Sequence, residues 1–241
     1  MGKVGSVSLE ATLAKYLPNK LVHAHNFGDM AAEDQERWSR AQRLNEPILL
    51  ITPIREPLTR NISAFFQNFK RDTGQEVADR SWEVAEVEEL FLQRYPHEVA
   101  LEWFDVSFRP ATGVDIYAEP FPRERKWQVY TRGSMRILVY RTDLGYPEQL
   151  RVVAEFLQQP IEGWVLGNRA EDKSYADLYW RFCTEARFPD HYIERLGDSK
   201  FCRHFWSRAE IEVNAARWRR PSAGGRLNRL LAGMRRLVPR S

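Results

Sequence analysis

The sequence predicts an α/β fold, a parallel sheet flanked by helices, and three stretches carry that prediction. The turn Lys3-Val4-Gly5-Ser6-Val7-Ser8 runs straight into Leu9–Leu17, whose apolar spacing is that of an amphipathic helix. The run Glu46-Pro47-Ile48-Leu49-Leu50-Ile51-Thr52 is short, apolar and β-branched, as expected of a strand buried on both faces, and a helix start follows it at Pro57. A third run, Arg136-Ile137-Leu138-Val139-Tyr140-Arg141, has the same character and is followed by a helix over Pro147 to Leu157. Strands that alternate with helical crossovers pair in parallel, and such sheets bind ligands beyond the carboxyl ends of their strands.

The first turn has the composition of an anion site. Gly5 lets backbone approach closely, N–H groups and the positive helix end face an anion, and Lys3 adds a full charge. The simpler alternative is that Ser6 and Ser8 only cap a surface helix. Leu21-Val22-His23-Ala24-His25-Asn26-Phe27 alternates as a short second parallel strand, which puts His23 and His25 on one face. Gly28 to Arg43 is rich in charge and helix formers and reads as the crossover to the strand before Arg55. Past that strand, Arg55 sits just outside a helix, while Arg60 and Ser63 project from its first turns, so two cations and a hydroxyl can meet one anion.

The polar stretch Lys70 to Ser81 reads as a loop, and Trp82 to Trp103 as two helices broken at Pro96. Phe104 to Tyr130, with Pro110, Gly113, Pro120 and Pro122, reads as irregular, either an acceptor-site wall or packing. Helical spacing returns over Lys173 to Phe182 and Arg208 to Ala216, with a polar aromatic segment holding Tyr192, Ser199 and Trp206 between them. His204 in that segment reads as a packed histidine or a site wall, and Lys173 as a solvated lysine or a phosphate contact.

Composition sets the outer bounds. A chain of 241 residues that is 43% hydrophobic and 12% aromatic supports one substantial core, assigned to residues 1–212. Residues 213–241 hold eight arginines and no acid, so the net charge of +3 hides a net acidic body followed by a basic tail. Within the tail, 221–225 reads as a linker and Arg226 to Val238 as a short amphipathic helix, suited to weak contact with an anionic surface or to a solvated tail. No apolar run of about 18 residues and no signal-peptide core occurs, so a cytoplasmic protein, peripheral to a membrane at most, is expected. Cys183 and Cys202 lack metal-ligand spacing, and no nucleic-acid module is recognised.

The two anion motifs resemble the cofactor-binding signatures of sulfotransferases that use 3′-phosphoadenosine-5′-phosphosulfate. Lys3, Gly5, Ser6 and Ser8 match the loop for the 5′-phosphosulfate, with Val7 where such loops usually carry a third hydroxyl. Arg55, Pro57, Arg60, Ser63 and Phe65 fill the Arg-x-Pro-x-x-Arg-x-x-Ser-x-Phe pattern for the 3′-phosphate. Asn168, Lys173 and Tyr175, together with Ser199 to Ser207, are similar to a microbial sulfotransferase-like family of capsular polysaccharide synthesis proteins.

That resemblance, over roughly residues 1 to 212, implies a P-loop-like parallel sheet flanked by helices, the nucleotide as co-substrate, a carbohydrate or polysaccharide hydroxyl as acceptor, and no metal. It also implies an apolar strand of about 5 to 6 residues ahead of the first turn, so the first strand is expected to be truncated. The cofactor-binding residues expected are Lys3, Gly5, Ser6, Val7, Ser8, Arg55, Arg60, Ser63 and Lys173. Lys3 is expected to stabilise charge on the leaving phosphate. His25 is the expected general base, with His23 its rival on the same face and Asp29 and Glu33 as acidic substitutes. Two other classes stay open: a P-loop kinase, disfavoured because Lys3 precedes Gly5 where a Walker loop places lysine after its last glycine, and a non-catalytic nucleotide- or anion-binding protein.

Overall fold

The computed structural model describes residues 2–17, 21–165, 167 and 173–219. It is a helix-rich α/β arrangement around a small three-stranded sheet. β1 (Ile48–Ile54) pairs in parallel with β3 (Met135–Arg141), which pairs antiparallel with β2 (Trp127–Arg132), giving the order β1-β3-β2. Side chains of β3 alternate between two cores, as a strand covered on both faces requires. Ile137 and Val139 face a large aromatic cluster under the helices α3 (Pro57–Gln67), α5 (Val84–Arg94), α9 (Ala176–Glu185) and α11 (Lys200–Phe205). Leu138 and Tyr140 face a second cluster made with α1 (Ser6–Leu13) and α8 (Tyr146–Leu157).

Several expectations hold. β1, β3, α3 and α8 form where the apolar runs and their following helix starts place them. The parallel β1–β3 pair is the crossover expected of the two runs. Pro96 separates α5 from the short α6 (Val99–Trp103). α2 (Ala32–Arg43) forms in the charged stretch ahead of β1.

Others are corrected. Leu21–Phe27 is not a strand: β1 takes β3 as its partner, and the backbone of this segment bonds elsewhere, with the His25 carbonyl accepting from the Trp103 indole at 3.0 Å. Only a 3₁₀ turn forms there, at Phe27–Asp29. Phe104–Tyr130 is not irregular throughout. Phe104–Phe108 continues α6 as a π-helical turn into α7 (Arg109–Thr112), and Trp127–Tyr130 opens β2. β2 exists because Gly133, at φ 56°, and Ser134 make a two-residue hairpin turn closed by the Arg132–Met135 pair.

The loop expected from Lys70 contains α4 (Phe69–Thr73), which ends on Gly74. The polar aromatic segment holds α10 (Asp190–Gly197) and α11. α12 (Arg208–Trp218) runs past position 212 and buries Trp218, and Arg219 pairs with Asp190, Glu194 and Glu212. The linker and helix expected within 221–238, and Asn168, lie outside the described residues. Among the described residues no helix is long and apolar enough to cross a membrane.

Candidate anion site

The N-terminal turn is anchored by Val4, 1% exposed in the large core. Lys3 and Gly5 flank it at φ 65° and 78°, and Gly5 is the N-cap of α1. That left-handed pair turns the chain sharply into the helix. Glycine at position 5 adopts it without cost, whereas Lys3 does so against its Cβ. The Lys3 ammonium donates to Gln67 at the end of α3. Burial, and then the neighbouring cations Arg55, Lys173 and Arg60, push its pKa down to about 8. The turn, the end of β1, the start of α3 and the approach to α9 therefore bring four cations near one another.

Arg60 is 6% exposed, and its guanidinium is spent on neutral partners: the Gly2 carbonyl at 3.0 Å, Asn61 Oδ1 at 3.1 Å and the Tyr95 hydroxyl at 2.6 Å. Burial pushes Arg60 down and Tyr95 up, so the phenol stays neutral. Among the described residues no carboxylate pairs with this buried guanidinium or with the Lys3 ammonium. Arg60 thus holds the turn against α3 from behind. Arg55, half-buried, lies by Tyr179 and also lines a cavity of about 490 Å³ beyond the carboxyl ends of β1 and β3. Arg141 and Trp206 line the same cavity, the Arg141 guanidinium 5.0 Å from the Trp206 ring centre.

The other expected site residues divide. The Ser8 hydroxyl is engaged with backbone: it accepts from the Gly167 N–H at 3.0 Å and donates to the Gly167 carbonyl at 3.2 Å. Val7 is exposed, and Ser63 is half-buried on the second turn of α3. Ser6 meets His23, whose Nε2 lies 3.0 Å from Ser6 Oγ and whose Nδ1 lies 2.6 Å from Glu10 Oε2. His25 stands edge-on to His23, ring centres 5.1 Å apart, and borders Gly2. Burial and then His23 lower its pKa. His204 packs away from the cluster, between Tyr117, Phe121 and Phe205, where burial and then Arg123 bring it down to about 4.

Sequence reasoning missed Glu10, Gln67, Tyr95 and Tyr179. Glu10 was detectable, because it lies four residues after Ser6 and shares its helix face. Gln67 and Tyr95 carry no local signal, since only tertiary packing brings them to Lys3 and Arg60. Comparison of the chain with family models, with curated proteins and with solved structures returned no match.

Proposed function

We propose that the chain transfers a sulfuryl group from 3′-phosphoadenosine-5′-phosphosulfate to a hydroxyl of a carbohydrate or polysaccharide, on a P-loop-like sulfotransferase fold. The observation that carries this reading is the charge balance at the N-terminal turn: among the described residues, the hydrogen-bond partners of a desolvated lysine and a buried arginine are neutral, with Arg55 and Lys173 adding charge of the same sign. Buried cations without counter-charge are costly, and a polyanionic ligand offsets that cost. The motif match at Arg55 to Phe65 selects the nucleotide, and Lys3 ahead of Gly5 argues against a Walker-type kinase.

In this reading the acceptor oxygen bonds to sulfur as the bond from sulfur to the 5′-phosphate oxygen breaks. Lys3 and the helix end stabilise the charge that gathers on the leaving phosphate. An imidazole of the His23–His25 pair takes the acceptor proton.

Calorimetry with 3′,5′-adenosine bisphosphate tests the donor site. Arg55→Ala is expected to weaken binding by about 1.5 to 3 kcal/mol, the range for hydrogen bonds to charged groups. Labelled donor offered with a panel of glycans tests transfer. Binding without transfer to any glycan indicates a non-catalytic nucleotide-binding protein, and absence of binding removes the assignment.

A further inference from the structure

Ser6 and Glu10 lie one turn apart on α1, and His23 bridges them, with Nδ1 2.6 Å from Glu10 Oε2 and Nε2 3.0 Å from Ser6 Oγ. A carboxylate only accepts, so Nδ1 carries the proton that is donated to Glu10. Nε2 of the neutral ring is then an acceptor, and the Ser6 hydroxyl donates to it. That hydroxyl has a single proton. Ser6 also opens α1 directly after the Lys3–Gly5 turn, where an anion held by the cations offers a competing acceptor.

We propose that Glu10, His23 and Ser6 work as a unit, resting on the sulfuryl-transfer assignment above: Glu10 holds the imidazole through Nδ1, and Ser6 covers Nε2 until a bound anion draws the Ser6 hydroxyl away. Filling the donor site thereby uncovers the base, which makes donor binding precede proton transfer. The acceptor oxygen then gives its proton to Nε2 as it bonds to sulfur. The electron pair of the broken sulfur–oxygen bond leaves with the phosphate. Glu10 remains ionised beside the imidazolium, which later releases its proton to water. His23 is the base in this scheme, and Glu10 is a positioning residue.

The experiment uses the full chain with ¹⁵N-labelled histidine, whose ring-nitrogen shifts read the tautomer. In the free protein His23 is expected to show a protonated Nδ1 and a hydrogen-bonded Nε2. Adding 3′,5′-adenosine bisphosphate is expected to move the Nε2 signal toward that of an unbonded nitrogen, and Ser6→Ala to do so without nucleotide. The Glu10 side chain is 43% exposed, so Glu10→Gln leaves the fold intact. Its amide donates to Nδ1 and favours the Nε2–H tautomer, which is expected to lower kcat by about 100-fold or more while bisphosphate affinity stays within about twofold. An unchanged tautomer and kcat in Glu10→Gln, with nucleotide still bound, overturns the relay and leaves the transfer assignment standing. A wild-type chain that binds no bisphosphate overturns the transfer assignment, and the base role of His23 falls with it.

Discussion

An anion bound at the Lys3 turn, as proposed above, is expected to bind with an affinity that depends on pH in a range where an ordinary lysine is indifferent. Its ammonium is held down to about 8 by burial and by Arg55, Lys173 and Arg60. Between pH 7 and pH 9 its charged fraction in the free protein falls from about 0.9 to about 0.1, so affinity for an anion that needs that charge is expected to fall roughly tenfold, about 1.4 kcal/mol. Inorganic sulfate keeps its charge over this range and is a suitable probe beside the bisphosphate. Isothermal titration at pH 7, 8 and 9 reads the effect, and binding at pH 8 to 9 is expected to take up protons, seen as an enthalpy that depends on the buffer. In Lys3→Arg the guanidinium stays charged, and the profile is expected to be flat. Stability of the free protein moves oppositely. The unfolded chain binds the extra proton between about 8 and the ordinary lysine value of 10.5, so stability rises with pH across that window. Wild-type affinity that stays constant from pH 7 to 9 refutes the reasoning.

Arg141 is 1% exposed and ties β3 to α12 through Asp143, Glu210 at 2.6 Å and the Phe205 carbonyl at 3.0 Å. Arg141→Met is expected to cost about 3 kcal/mol in urea unfolding at pH 7, the low end for a broken buried pair because Asp143 and Glu210 are 48% and 33% exposed and regain water. Burial pushes the Glu210 carboxyl up, but Arg141 and Ser207 outweigh it and hold it at about 2; its contribution is present above 4.5 and lost as pH falls through 2, so the deficit should shrink near pH 2, and a constant deficit contradicts this. Gly5→Ala is expected to destabilise by about 1 to 2 kcal/mol, because φ is 78° and a Cβ meets nothing within 4 Å, leaving only the backbone penalty; a thermal shift near zero argues against it. Burial lowers the pKa of His97, whose Nδ1 meets the Tyr192 hydroxyl at 2.8 Å, so its stabilising effect is complete above about 6.5 and declines as pH falls below that value. His97→Gln should flatten that part of the stability profile, and a profile identical to wild type counts against the role.

The sequence made the sheet legible where a strand is a near-continuous apolar run. β3 is covered on both faces, whereas β1 lies at the sheet edge with Leu49 47% exposed, yet each announces itself without its partner. β2 hid because Gln128 and Thr131 break its apolar pattern and its pairing depends on the Gly133 turn. Leu21–Phe27 alternates like a strand but finds no ladder, and alternation alone cannot tell a strand from an extended connection. At the site, the residues brought by short local geometry, Lys3, Gly5, Ser6 and Arg55, were visible as motifs. Arg60 was visible too, yet its buried bonds to Gly2 and Tyr95 were not, since a motif states which residue is present and not which way its side chain turns. Ser8 shows the same limit, for its hydroxyl is taken by Gly167.

That last contact belongs to a row of three hydroxyls, two on α1 and one in the turn that follows it, that grips Glu162, Val165 and Gly167. Tyr16 exchanges hydrogen bonds with both backbone groups of Glu162 at 2.8 Å, Thr12 accepts from the Val165 N–H at 2.9 Å, and Ser8 binds both groups of Gly167. A helix thus does for an irregular segment what a neighbouring strand does for a sheet edge, with side chains spaced four residues apart supplying the rungs. These rungs fasten Glu162, Val165 and Gly167 to the same helix that begins at the Lys3 turn. The contacts close like teeth in a zip fastener, and slackening one hydroxyl loosens the segment's hold on the helix.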